Sequence, residues 1–206
     1  MSEFIGTAVL LISVVGSSFM AEKLTSDKAL ALLIVGAVTA AALAIIIKSG
    51  ADISGSHYNP VVTGALALQK KIKSVDAILY ILAQSLGAFS GVVVANAMFD
   101  QRLIGSSIIE RSGSGQFIGE IVATSGLVYL ALTSNSKSVW KLIPLWIFGA
   151  YFFTSSTSFA NPAVTISRVF TDAPSGIDSS SVISFILAQV IGAAIVAFAL
   201  KSKATS

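Results

Sequence analysis

Residues 158–168 read SFANPAVTISR. Asn161 followed by Pro162 marks a helix start: an asparagine side chain accepts from the first free backbone N–H groups, and proline at the first helical position loses no bond. The apolar run that follows is too short to cross a bilayer, yet it lies among segments of membrane length. The same signal occurs earlier as SGSHYNPVVT, residues 54–63, with its Asn59 102 positions before Asn161 (161 − 59). One such pair is a turn and a helix start. Two, in equivalent places, predict matched short helices that enter the membrane without spanning it.

The remaining composition agrees. The 206 residues are 54% hydrophobic and 11% charged, with a mean hydropathy of +0.86, as in a polytopic membrane protein. Apolar runs near 3–21, 29–48, 75–98, 116–134, 138–156 and 180–200 predict six spans of about 20 residues each. Thr25, Ser26 or Asp27 is expected to cap the second span, and Ser74 with Asp76 to open the third. The net charge of +3 comes from lysines near segment ends, so it bears on topology and not on a nucleic-acid partner. Cysteine is absent and His57 is the only histidine, which excludes disulfides, thiolate chemistry and multi-histidine metal sites. No nucleophile and base constellation appears, so neither an enzyme nor a cofactor is expected. Met1-Ser2-Glu3 runs straight into an apolar span without a basic segment, as in a first span that is retained.

The longest polar connection, Phe99 to Gly115, divides the chain into a first repeat of about 1–99, a linker of about 100–115 and a second repeat of about 116–206. Paired signals keep their order in both: EFIGT and EIVAT carry Glu3 and Glu120; AQSLG and AQVIG carry Gln84 and Gln189. Halves with three spans each insert in opposite directions, so the expected fold is all-α and transmembrane, six spanning helices plus two re-entrant half-helices in an inverted repeat. With cytoplasmic termini, eight Lys residues (48, 70, 71, 73, 137, 141, 201, 203) lie inside, against Lys23, Lys28, Arg102, Arg111 and Arg168 outside. The half-helix N-termini then face each other near the midplane, each with about half a positive charge, and repel cations. Asn59 and Asn161 cap their helices with the carbonyl and keep NH donors for a passing solute. Glu3 and Glu120, ionisable residues within spans, are functional candidates.

In ExxxT, SGxHxNPxVT and AQxxG of the first half, and ExxxT, NPA and AQxxG of the second, the chain resembles the aquaporins and glycerol facilitators, the major intrinsic proteins. The resemblance covers nearly the whole chain. It implies a pore in each subunit of a homotetramer in the cell membrane, passing water or small neutral solutes such as glycerol, urea or a metalloid acid and excluding ions and protons. It further implies that Asn59, Asn161 and His57 line the pore beside a ladder of backbone carbonyls, and that Glu3, Glu120, Gln84 and Gln189 support the loops. Counted from the NP turns, Thr39, Gly149, Ser158 and Val164 occupy the filter. Two departures stand out: Asn59-Pro60-Val61 replaces the first NPA, and Val164 occupies the place where the family normally has arginine. Arg168 follows four residues later, either paired with Asp172 or serving as a displaced filter residue. A filter of small side chains predicts a wider pore, unless Tyr151, Phe152 or Phe159 fills it. The alternative is a secondary transporter, also built on inverted repeats, with Glu3 or Glu120 binding the coupling ion.

Overall fold

The computed structural model describes residues 1–203; residues 204–206, the end of the expected second repeat, and the side chain of Lys203 lie outside the described part. The helices are α1 (Ser2–Leu24), α2 (Lys28–Ser54), α3 (Pro60–Leu68), α4 (Ser74–Met98), α5 (Ser114–Thr133), α6 (Val139–Phe153), α7 (Pro162–Ser167), a single 3-10 turn at Arg168–Phe170, and α8 (Ser179–Lys203). No strand occurs among the described residues. Five helices, α1, α2, α4, α5 and α8, are long and apolar enough to cross a membrane. The expected span at 138–156 is instead the 15-residue α6. Asn135 folds a polar turn just before it, its Oδ1 accepting from Lys137 N and Ser138 N. At the other end the chain turns extended at Thr154.

Local chemistry sets the other ends. Asp27 starts α2, its Oδ1 accepting from Ala29 N at 2.8 Å and Leu30 N at 3.0 Å. Gly55 closes it in the left-handed region at φ +79°, which costs glycine nothing. Ser74 does not cap α4: it is the first helical residue, and Lys73 precedes it with no side-chain bond.

α1 packs against α2 and α4, α5 against α6 and α8, and α2 against α6. The closest approaches are made by glycine. A Cβ on Gly87 would lie 2.2 Å from the Phe4 carbonyl oxygen, and one on Gly192 2.6 Å from that of Ile121. Each brings the AQxxG helix onto the ExxxT helix, once in each half. The buried side chains include Glu3, Glu120, Gln84, Gln189, Asn59 and Asn161, whereas Ile78, Leu82, Ile183 and Leu187 are exposed. Polar groups inside and leucines outside suit a helix bundle solvated by lipid.

Gly87→Ala should lower the stability of the protein in detergent by about 1–3 kcal/mol, because the opposing atom is backbone and cannot rotate away. Gly64→Ala, where a Cβ meets nothing within 4 Å, is the control, and thermal unfolding followed by circular dichroism should leave it unchanged or raised.

Candidate functional site

Each short helix begins at an asparagine whose side chain caps it. Asn59 Oδ1 accepts from Val61 N at 3.0 Å; Asn161 Oδ1 accepts from Ala163 N at 3.0 Å and Val164 N at 3.3 Å. The loops leading to them are contorted in the same way. Gly55, Ser56 and Tyr58 in one, and Thr157, Ser158 and Ala160 in the other, have φ between +47° and +79°. A non-glycine residue held there costs about 1–3 kcal/mol and persists only when its surroundings over-determine it.

Two buried carboxylates supply that constraint. Glu3 accepts from His57 N (3.1 Å), Tyr58 N (2.7 Å), Gln84 Nε2 (2.7 Å) and Ser54 Oγ (2.6 Å). Glu120 accepts from Phe159 N (2.9 Å), Ala160 N (2.8 Å) and Gln189 Nε2 (2.6 Å). Gln84 and Gln189 each give a second bond at 2.9 Å to a threonine of the short helix, Thr63 or Thr165. Those hydroxyls donate in turn to Asn59 O and Asn161 O. The set of bonds is made twice. In the first loop Thr63 Oγ1 also lies 3.1 Å from His57 Nδ1. With its one hydrogen given to Asn59 O, it accepts there, so His57 Nδ1 carries a hydrogen and donates.

The two loops meet through their asparagines. Asn59 Nδ2 donates to Ala160 O at 2.8 Å, and Asn161 Nδ2 donates to Tyr58 O at 2.9 Å. Each amide has two N–H groups and spends one on this crossing. Both asparagines line an internal cavity of about 100 Å³ together with His57, Ser158, Thr39 and Val164. Gly149 does not line it. The α6 residues that do are Val139, Ile143, Ile147 and Tyr151, one per turn, and Gly149 falls between turns on the opposite side. An outer cavity of about 570 Å³, lined by Glu22, Asp27, Lys28 and Arg111 among others, adjoins the first; Tyr151 and Arg168 line both.

A sequence model of the family described as Major intrinsic protein matches residues 1–159. The chain belongs to that family. Among its relatives are an aquaglyceroporin, AqpS, of Rhizobium meliloti (strain 1021), 40% identical over 93% of this chain and 84% of that protein, and two plant proteins. One is a probable aquaporin TIP2-2 of Oryza sativa subsp. japonica, 37% identical over 62% of this chain and 53% of its own length. The other is aquaporin TIP2-1 of Arabidopsis thaliana, 31% identical over 71% and 62%. Like other major intrinsic proteins, the chain is a multi-pass integral membrane protein and a passive channel for water and small solutes, not an enzyme.

The family match ends two residues before Asn161, so it includes the departure at Val61 and stops ahead of the one at Val164. Arg168 makes no ion pair with Asp172. Its Nε donates to Ser175 O, while Asp172 accepts from Ser106 N at 3.3 Å. Arg168 is 3% exposed, and its guanidinium lies over the ring of Phe159, 3.5 Å from its centroid. Sequence reasoning gave Tyr151 only a filling role and Arg111 none. The strict four-residue spacing of Val139, Ile143, Ile147 and Tyr151 was the available signal for the first. Arg111 carries none, because its partners are backbone carbonyls.

Glu120→Gln keeps the volume and turns one acceptor into a donor facing N–H groups. Loss of charge-assisted bonds and an unpaired buried donor predict a destabilisation of about 2 kcal/mol or more, larger than that of Gln189→Leu, read as the unfolding midpoint in detergent.

Proposed function

We propose that the chain conducts water and small uncharged solutes of the glycerol and urea class through a pore that runs from the outer cavity between Tyr151 and Arg168, past the two asparagines, to the opposite face. The observation that carries this reading is the crossing of Asn59 and Asn161, which holds two helix N-termini together at the wall of one cavity. Each asparagine retains an N–H for a solute oxygen. The carbonyls of Gly55, Ser56 and His57, and of Thr157, Ser158 and Phe159, accept no bond from the described residues, which supports their use as a ladder of acceptors beside the donors. A water passing the asparagines presents its oxygen to two donors and cannot relay a proton through that point, while the facing helix dipoles oppose cations.

In this reading the six longer helices span, α3 and α7 are re-entrant half-helices, and the halves form an inverted repeat. The duplicated Glu, Gln, Thr and Asn bonds support it. Both carboxylates are engaged by donors of the fold, Glu3 by two loop N–H groups, Gln84 and Ser54, and Glu120 by two loop N–H groups and Gln189, so neither is left for a coupling ion and passive flow is favoured over secondary transport. Asn59, Asn161, His57, Ser158, Thr39 and Val164 line the path. Glu3, Glu120, Gln84 and Gln189 hold it open. The lysine distribution supports cytoplasmic termini, and the family resemblance supports a homotetramer.

Purified protein in liposomes should swell in glycerol and urea gradients as well as in water gradients, by stopped-flow light scattering, without saturation and without dependence on a proton or sodium gradient. Liposomes that pass water but reject both solutes completely would sink the solute assignment. Val164→Arg adds a second guanidinium beside the neck and should lower glycerol flux relative to water.

A further inference from the structure

The residue pattern of the two loops repeats at an interval of 102, but the chemistry does not. His57 corresponds to Phe159, Val62 to Val164 and Leu66 to Arg168. His57 meets the edge of Tyr80 at 5.2 Å, and Phe159 meets that of Phe185 at 5.0 Å. Only the second ring carries cations. Arg168 lies 3.5 Å from its centroid and Arg111, from the segment between the halves, 5.0 Å. Two guanidinium groups at one ring repel each other, so something must hold them there.

The segment 174–176 does so with three successive carbonyls. Pro174 O accepts from Arg111 Nη2 at 3.2 Å, Ser175 O from Arg168 Nε, and Gly176 O from Arg111 Nε at 2.8 Å. Arg111 brackets the carbonyl that Arg168 uses. The segment is tied further by Ser175 N to Ser18 Oγ at 2.9 Å, and the Arg111 backbone N–H donates to Ser181 Oγ at 3.0 Å. With Nε committed, the η nitrogens of Arg168 make no hydrogen bond to the described residues, and the residue lines both cavities. Ser158, 4% exposed, lines the inner cavity, and its buried hydroxyl has no partner among the described residues. Thr39 Oγ1 and Tyr151 OH, 3.2 Å apart, complete the lining at that level. Arg168 thus brings uncommitted donors to a cavity that the two asparagines also line.

The geometry points to Arg168 as the residue that sets solute selectivity at the neck, delivered from one turn beyond its usual place, and to Arg111 as the positioning residue that holds it there through the carbonyls of 174–176. This rests on the channel reading above. Arg168 donates to a hydroxyl or carbonyl oxygen of a neutral solute, and the Phe159 face keeps the guanidinium flat and the passage narrow. Arg111 touches no solute. It fixes the direction of the Ser175 carbonyl, and with it the side chain that narrows the pore.

The test is stopped-flow measurement of water, glycerol and urea permeability in liposomes for the full chain and for Arg168→Leu, Arg111→Leu, Arg111→Lys, the double Leu variant and Arg102→Leu, an exposed arginine of the same segment. Arg168→Leu should raise the glycerol-to-water and urea-to-water ratios. Arg111→Leu should shift them in the same direction by about twofold or more, and the double variant no further than Arg168→Leu alone, since contacting residues that act as a unit are non-additive. Arg111→Lys should resemble Arg111→Leu, because an ammonium cannot bracket two carbonyls; Arg102→Leu should match wild type. A wild type that conducts nothing above empty liposomes sinks the channel reading and this proposal together. A conducting wild type whose ratios are unmoved by Arg111→Leu, restored by Arg111→Lys, or shifted additively in the double variant sinks the positioning role alone.

Discussion

Glu3 and Glu120 each hold two consecutive backbone N–H groups of a loop that has no other way to satisfy them. Irregular backbone inside a bilayer cannot turn to water for its hydrogen bonds, and it survives only where protein or a wet cavity provides partners. A carboxylate is the economical choice: one side chain accepts several charge-assisted bonds at once. The cost of burying it is offset by those bonds and by the glutamine that donates to it from the neighbouring helix. Everything at the pore depends on this arrangement. The left-handed residues of both loops, the direction of the asparagine amides and the placement of the two short helices relax if the carboxylates let go.

The second dependence is on close helix contact. Gly87 and Gly192 let the AQxxG helices come within backbone distance of α1 and α5, which is what brings Gln84 and Gln189 to the carboxylates. Packing and polar chemistry are therefore one design: the small residue sets the distance, and the amide three residues, nearly a turn, away exploits it. The same logic repeats in the other half with Thr63 or Thr165 as the next link. Where the two loops differ, the chemistry differs. One loop carries an imidazole whose Nδ1 is paired with Thr63 of its own short helix, and the other an aromatic ring with two guanidinium groups.

Much of this was legible in the chain. Two NP starts, two ExxxT and two AQxxG signals in the same order announce a duplicated bundle, because a cap, a buried acid and a small-residue contact each demand specific residue types at fixed spacing. Helix ends were less so: Ser74 has the chemistry of a cap and lies one residue inside α4, and the span expected over 138–156 shortened to Val139–Phe153. Gly149 was placed in the filter by counting back through a contorted loop. Counting along a chain does not transmit the rotation of α6, and a shift of two residues moves a side chain to the other face.

The sequence by itself determined the class of molecule, the repeated motifs and the absence of arginine after the second NPA, since these follow from local residue type, spacing and hydrophobicity. Tertiary structure alone decided which residues close the neck. Tyr151 faces the cavity because of how α6 is rotated, and Arg168 returns to Phe159 because the carbonyl of Ser175 is there to receive it. Arg111 joins them from a different segment through backbone atoms that every residue possesses. Backbone carbonyls carry no signature in a sequence, so only the fold reveals whose side chain they hold.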